Sequence, residues 1–349
     1  MSQRKRVADP SEIRVGVIGY GGAFNMGRKH LEEMKKAGMT PTAVVEIDPE
    51  RRRAAQDEFP GIETYPDTEA MLEGSDVDLA AIITPHNTHA ALALQCLKAG
   101  RHVVCEKPLA ITTEECDEMI AAAEAAGVVL STYHNRHWDG CILHAVEQIR
   151  GGAIGEVYRI EAHMGGFEKP RDWWRTSRSI SGGVLYDWGV HLIEYALQLL
   201  DGELVEVSGF AHNGTWAPQT PWKDDTNEDE GLAVARFSSQ QWLTLTIGAL
   251  DHHPKDDRGQ LEISGTGGTY LMNQGDWRIV QRDGEGGETI RKGKNPPGEG
   301  WKLYQNVADH LVNGEPLVIT PEWSRRPIHL LDLAVRSAAE GRARPARYG

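Results

Sequence analysis

Long apolar runs are what this sequence most conspicuously lacks. No stretch of the 349-residue chain approaches the twenty or so apolar residues that cross a bilayer. Cysteine is scarce: the four, Cys96, Cys105, Cys116 and Cys141, show no CxxC spacing. That argues against a disulfide framework and a cysteine zinc site, and suits reduced thiols in the cytoplasm. Basic charge is in the minority, with 37 Lys and Arg against 51 Asp and Glu and a net charge of -14. A chain this acidic is not a general binder of nucleic acid or of an anionic membrane. The first residues, Met1 to Arg6, are basic, but Val7-Ala8-Asp9-Pro10 supplies no apolar h-region, so no secretory signal is expected. Internal repeats and low-complexity tracts are absent too.

What is present is an ordinary globular composition, 40% hydrophobic, in a chain long enough for two domains. Residues 14–18, Arg-Val-Gly-Val-Ile, read as a buried strand. Gly19-Tyr20-Gly21-Gly22-Ala23-Phe24-Asn25-Met26-Gly27 follows, then a helical stretch over 28–37. Strand, glycine-rich turn and helix make the first half of a dinucleotide-binding unit, whose pyrophosphate sits on backbone N–H groups at the helix N-terminus. Phe24 stands where the third glycine of GxGxxG is usual, so the turn differs in length or shape. Residues 42–48 read as the second strand. Glu46, about 25 residues beyond the glycines, lies near the place of the ribose-binding acid. A carboxylate there accepts from both ribose hydroxyls and repels a 2′-phosphate, which favours NAD over NADP. Arg51, Arg52 and Arg53 keep NADP open. Asp48 reads as a cap for the helix starting at Pro49.

Strands and helices go on alternating, with strands at 77–83, 102–105 and 128–131 and helices at 68–73, after His89, and at 113–126. Alternation means a doubly wound parallel sheet, whose ligands bind at the carboxyl ends of the strands. The glycine turn, Thr84-Pro85-His86-Asn87-Thr88-His89 and Glu106-Lys107-Pro108 all fall at such ends. Beyond residue 133 the pattern changes. Strands at 155–163, 204–211, 232–237, 242–249 and 260–264 alternate apolar and polar residues, as antiparallel sheets with one buried face do. Residues 284–300 read as an exposed loop, and helices are expected at 141–150, 303–311 and 322–340.

One further stretch carries chemistry, Gly182-Gly183-Val184-Leu185-Tyr186-Asp187-Trp188-Gly189-Val190-His191. On a helix, Asp187 and His191 share a face one turn apart. Imidazole beside carboxylate is an acid/base device for neutral pH. The histidine pairs His86/His89 and His134/His137 lack the i,i+4 spacing of helical zinc ligands, so no metal is expected.

Together these residues resemble the Gfo/Idh/MocA family (glucose-fructose oxidoreductase, inositol dehydrogenase and rhizopine catabolism proteins). The likeness rests on the glycine turn, Glu46-Ile47-Asp48-Pro49, Thr84-Pro85 with His89, the stretch from Ala99 to Ala110 with Glu106-Lys107-Pro108, and Gly182-Gly183 with Asp187 and His191. It runs from about residue 12 to residue 341. The resemblance implies an N-terminal Rossmann domain over 12–132. A C-terminal α+β domain with a large, mostly antiparallel open sheet then fills 133–349, where substrate binding and oligomerisation reside. It implies a nicotinamide-dependent oxidoreductase of sugars, inositols or their derivatives, with NAD as cofactor and NADP not excluded. Lys107, Asp187 and His191 would be catalytic. Gly19, Gly21, Gly22, Phe24, Asn25, Glu46, Thr84, Pro85, His86, His89, Glu106 and Lys107 would meet the cofactor. Lys107, Asn135, Arg136, Trp174, Arg175, Asp187 and His191 would meet a carbohydrate or polyol. His86, where the family usually has Asn, and the displaced third glycine are departures at the cofactor. The protein is expected to be a cytoplasmic homo-oligomer. Two other readings stay open: a glycoside-cleaving or epimerising enzyme with tightly held NAD, and a non-catalytic NAD-binding redox sensor.

Overall fold

A computed structural model describes residues 7–21, 25–253 and 260–347. The chain forms two compact units: Met1–His134 with Trp301–Arg325, and Asn135–Gly300 with Arg326–Gly349. The residues 301–325 therefore return to the first unit, a return that a single cut near residue 132 does not contain.

In the first unit, the described residues form six strands: β1 (Arg14–Ile18), β2 (Thr40–Val45), β3 (Glu63–Tyr65), β4 (Leu79–Ile82), β5 (His102–Cys105) and β6 (Leu130–Thr132). They lie in the order β3-β2-β1-β4-β5-β6, every pair parallel. Helices cover both faces of such a sheet, so its central strands are apolar throughout. Val15, Val17, Leu79 to Ile82 and Val103 to Cys105 are all buried. The linking helices are α1 (Met26–Lys36), α2 (Pro49–Glu58), α3 (Thr68–Gly74), α4 (His89–Lys98) and α5 (Thr113–Ala126). Their starts are written locally. Asp48 accepts from the Glu50 N–H with Pro49 at the first position, Asp67 accepts from Ala70, and Thr112 forms a capping box with Glu115. Each such cap stabilises its helix by about 1 kcal/mol. The strand order reverses between β1 and β4, which opens a crevice at their carboxyl ends.

The second unit contains α6 (Gly140–Arg150), β7 (Val157–Gly165), α7 (Arg178–Ser181), α8 (Val184–Leu197), β8 (Leu204–His212), β9 (Glu230–Phe237), β10 (Trp242–Gly248), β11 (Leu261–Gly265), β12 (Gly268–Met272), β13 (Asp276–Arg282) and β14 (Glu288–Lys294). After these come α9 (Lys302–Asn313), which belongs to the first unit, α10 (Pro321–Glu340) and β15 (Arg344–Pro345). The described strands make one sheet in the order β14-β13-β12-β11-β7-β10-β9-β8-β15. Its pairs are antiparallel except β10 with β7, which run parallel. Alternation sends Ile160, Ala162, Ala233, Ala235, Leu243 and Leu245 into the core, where α8 covers β7, β9 and β10. The opposite face leaves Tyr158, Phe210 and Trp242 exposed, the Tyr158 and Trp242 rings 5.7 Å apart.

One expectation changes. Residues 284–300 are not all loop, since β14 pairs with β13 along its length. Its side chains are almost all exposed, so no alternation betrayed it. The short edge strand β3 is likewise invisible in a three-residue stretch with no buried side chain.

Candidate active site

At the carboxyl end of β1, Gly19 has φ +97, and a Cβ there would stand 2.7 Å from the Ile83 carbonyl oxygen. Only glycine fits that bend. Asn25 adopts a left-handed conformation (φ 49) immediately before α1. Gly22 and Phe24 lie outside the described residues. Gly21 is covered by the Arg51 guanidinium, which would collide with any Cβ placed there. The same arginine lies 3.4 Å from the Asp48 carboxylate.

Glu46, just past β2, is buried. Its carboxylate accepts from the Tyr20 N–H at 2.8 Å and the Asp48 N–H at 3.1 Å. Glu46 therefore ties the glycine turn to the start of α2. A carboxylate offers about four lone-pair sites, so acceptor capacity is left for ribose hydroxyls. Side-chain-free backbone at Gly19 and Gly21, the start of α1 and an acid at the end of β2 are the parts a dinucleotide requires. The residues present fit NAD. Arg51, the far end of a flexible side chain, is the group that would yield at Gly21.

At the end of β4, the Thr84 and Thr88 hydroxyls are 2.6 Å apart, and Thr88 donates to the Pro85 carbonyl at 2.7 Å. His86 and His89 are buried. The His89 ring lies between two carbonyls, that of Pro108 2.8 Å from Nδ1 and that of Thr84 2.9 Å from Nε2. Burial nevertheless pushes its pKa down, so the neutral ring donates one N–H at a time. His89 thereby bridges the ends of β4 and β5. The Lys107–Pro108 bond is cis. Glu106 takes the Lys107 N–H on Oε2 at 3.0 Å and the His30 Nε2–H on Oε1 at 3.0 Å.

In the second unit, Gly182 and Gly183 have φ +91 and +119 and deliver the chain into α8. Glu228 accepts from the Val184 N–H at 2.9 Å and meets the Arg178 guanidinium at 3.1 Å. An acid at a helix N-terminus is favourable. Asp187 and His191 then project one turn apart on α8. Arg175 Nε lies 3.4 Å from Asp187 Oδ1, and its guanidinium stacks over Trp174 at 4.4 Å and Trp173 at 4.9 Å. Trp188 meets the His191 ring edge-on at 5.6 Å, and the Arg136 guanidinium lies over the Trp188 ring at 4.9 Å. Arg136 also pairs with Asp139 at 2.9 Å. Asn135 begins the same short 3-10 turn and packs against Gly300.

Five of the expected substrate residues are therefore linked in this unit. Arg175 holds Asp187, and Arg136 reaches His191 through Trp188, while Trp174 floors the guanidinium of Arg175. Lys107 belongs to the first unit, together with the expected cofactor residues that the structure describes. Sequence reasoning missed His30 and Tyr304. The signal for His30 was present: it shares the buried face of α1 with Gly27, Leu31 and Met34, an odd place for a titratable ring. Among the described residues, no group of three or more His, Cys, Asp or Glu is placed to hold a metal, and no helix is long and apolar enough to cross a membrane.

Comparison with known proteins places this geometry in context. Residues 13–134 match the Gfo/Idh/MocA model described as "Oxidoreductase family, NAD-binding Rossmann fold", and residues 142–271 match that family's C-terminal domain. The uncharacterized oxidoreductase YdgJ of Escherichia coli is 34% identical over 54% of this chain, and the match spans only 53% of YdgJ's length. The scyllo-inositol 2-dehydrogenase (NADP(+)) IolW of Bacillus subtilis is 29% identical over 95% of both chains. A solved structure of levoglucosan dehydrogenase with NADH and levoglucosan superposes with a TM-score of 0.79 over 96% of this chain and 100% of that one, at 22% identity; it shares the fold.

Proposed function

Because the chain belongs to the Gfo/Idh/MocA oxidoreductase family, we propose that it is an NAD-dependent dehydrogenase acting on a hydroxyl carbon of a sugar, an inositol or a sugar derivative. The carrying observation is the α8 pair: a buried imidazole, His191, one turn from a carboxylate, Asp187, that an arginine holds. The names of the inositol and levoglucosan relatives support the substrate class.

In this reading, the first unit holds the cofactor and the second the substrate. Glu46 binds the ribose hydroxyls, and the Gly19–Asn25 turn takes the pyrophosphate. Thr84, Pro85, His86, His89 and Glu106 shape the remaining cofactor pocket. When bound, the nicotinamide supplies the electron-pair acceptor for the carbinol carbon. His191 takes the hydroxyl proton as general base. Asp187 orients the ring and stabilises its charged form. The Lys107 ammonium hydrogen-bonds the oxygen as charge develops on it. Arg175, Trp174, Asn135 and Arg136 hold the remaining hydroxyls, since indole faces stack on sugar rings and guanidinium supplies a donor fork. In the reverse direction the same groups protonate a carbonyl. The exposed aromatics Tyr158, Phe210 and Trp242 on the open sheet suit contact with a second copy of the chain. The four buried thiols suit the cytoplasm.

The test mixes purified protein with NAD⁺ or NADP⁺ and a panel of aldoses, inositols, anhydrosugars and sugar acids, and reads reduced-nicotinamide absorbance. One responding class supports the dehydrogenase and names the substrate. Silence across the panel, from protein that retains NAD through purification, overturns it in favour of a closed redox cycle on bound cofactor.

A further inference from the structure

The first unit contains a buried polar chain that the proposed chemistry does not use. Tyr304, on α9, comes 274 residues after His30 and stands 2.5 Å from His30 Nδ1. His30 Nε2 lies 3.0 Å from Glu106 Oε1, and Glu106 Oε2 takes the Lys107 N–H at 3.0 Å. The proton directions follow from chemistry. An ionised carboxylate only accepts, so Nε2 carries hydrogen; the neutral ring's Nδ1 then accepts from the Tyr304 hydroxyl. Burial keeps that phenol protonated, its pKa pushed well above the ordinary 10.0.

We propose that His30 and Tyr304 are positioning residues for Glu106, fixing its carboxylate, and through it the backbone at Lys107, in one ionised and oriented state. The proposal rests on the reading of Lys107 as an active-site lysine.

Three observations support it. His30 is 1% exposed and Tyr304 0%, so neither ring has bulk water as an alternative partner, and a buried polar group without one is costly. Tyr133 packs against the His30 ring, the centroids 4.1 Å apart and the planes tilted by 51°, and its own hydroxyl is engaged by Glu33 at 2.5 Å. The ring thus has one orientation. Finally, Glu106 sits where burial alone would pull its carboxyl up; the bond from His30, with the nearby Lys107 ammonium and backbone N–H, outweighs that and leaves it below the usual carboxylate range. The other titratable groups facing this carboxylate are His89 on α4, Cys105 on β5, Tyr133 after β6 and Tyr304 on α9, with Glu33 on α1 acting on the two tyrosines. Among the described residues, the Lys107 N–H and the His30 ring are the groups that donate to it.

The experiment compares wild type with Tyr304→Phe, His30→Leu and His30→Gln. Glu106 is read by its protonated-carboxyl band in infrared difference spectra against pH, assigned with Glu106→Gln. In His30→Leu the band is expected to appear at a pH at least about one unit higher than in wild type. Tyr304→Phe shifts it by less in the same direction, and His30→Gln, whose amide still donates, restores part of it. Alongside, kcat falls about tenfold or more in His30→Leu while NADH affinity, read by fluorescence, changes less than about threefold. Should His30→Leu fail to fold, Tyr304→Phe decides, because it removes a single oxygen. A carboxyl band unmoved in the folded variants overturns the proposal even if the enzyme is active. A shifted band in a protein that turns over no polyol supports the positioning of Glu106 and overturns the reaction instead.

Discussion

Arg175 and Asp187 are joined by a 3.4 Å contact between Nε and Oδ1, with the guanidinium carbon over the Trp173 and Trp174 rings, 4.9 and 4.4 Å from their centroids. Both side chains keep some solvent access, 21% and 37%. That is the arrangement expected of groups that hold each other until a ligand shares them. The carboxylate beside His191 is therefore pre-oriented, and the orientation depends on a flat cation.

Arg175→Lys keeps the charge but loses both the planar fork and the indole stacking, which a lysine does not reproduce. We expect kcat/KM to fall about tenfold in Arg175→Lys and about a hundredfold in Arg175→Ala. Steady-state kinetics on the responding substrate checks this. Equal rates in the lysine variant and wild type would show that charge alone suffices.

His191→Ala and Lys107→Ala each remove a group assigned to the reacting oxygen. Turnover should drop about 10²- to 10⁴-fold in each, with NADH affinity nearly unchanged. Single-turnover rates and a fluorescence titration separate the two effects. Near-normal turnover in either variant sinks that residue's role.

Glu46 ties the glycine turn to α2 and stands where ribose would bind. Glu46→Ser removes the repulsion of a 2′-phosphate while Arg51 and Arg52 remain close by. The ratio of kcat/KM for NAD⁺ over NADP⁺ should fall about tenfold or more. An unchanged ratio would remove Glu46 from cofactor choice and leave it a purely structural tie.

Stability should fall on mild acidification. Burial holds His89 below its ordinary 6.5, so the unfolded chain takes up this proton first. The stabilisation is complete above 6.5 and is lost as pH falls from there through the lower folded value. Thermal melts between pH 7.5 and 5 should show Tm declining across that window. His89→Gln should lower Tm at pH 7.5 and flatten the slope without abolishing it, because His144 is shifted down by burial too. A slope unaltered in the variant would assign the effect elsewhere.

The four cysteines should ignore thiol reagents in the native protein. All are buried, and burial pushes Cys96 up to about 12 and Cys141 up to about 11, leaving almost no thiolate near neutral pH. Titration with a chromogenic disulfide should find no fast thiol before denaturant and four after it.

Much of this was legible in the sequence, and the parts that were share a cause. Central strands such as Val15 to Ile18 and Val103 to Cys105 are apolar because both faces are covered, so they read as continuous runs. Asp48 read as a cap because a short acid before Pro49 has little else to do there. The Asp187–His191 spacing translated directly into one face of α8. What escaped depended on partners far along the chain or on exposure. β14 has no buried face to impose alternation. The position of His30 on the apolar face of α1 marks it as unusual, but its role shows only when Tyr304 and Glu106 are brought to its two nitrogens. Arg175 was legible as a substrate residue, but its hold on Asp187 was not, because twelve residues and two glycine bends separate them.

The return of residues 301–325 to the first unit has a consequence for inheritance. A gene fragment ending near codon 134 would encode a sheet whose β6 Ser131 hydroxyl has lost its acceptor, the Ile319 carbonyl 2.8 Å away, and whose α5 has lost the Arg325 clamp on Asp117. Shuffling the cofactor half as a simple N-terminal cassette would therefore yield an incomplete module. A viable exchange must carry both segments, residues 1–134 and 301–325, from the same parent.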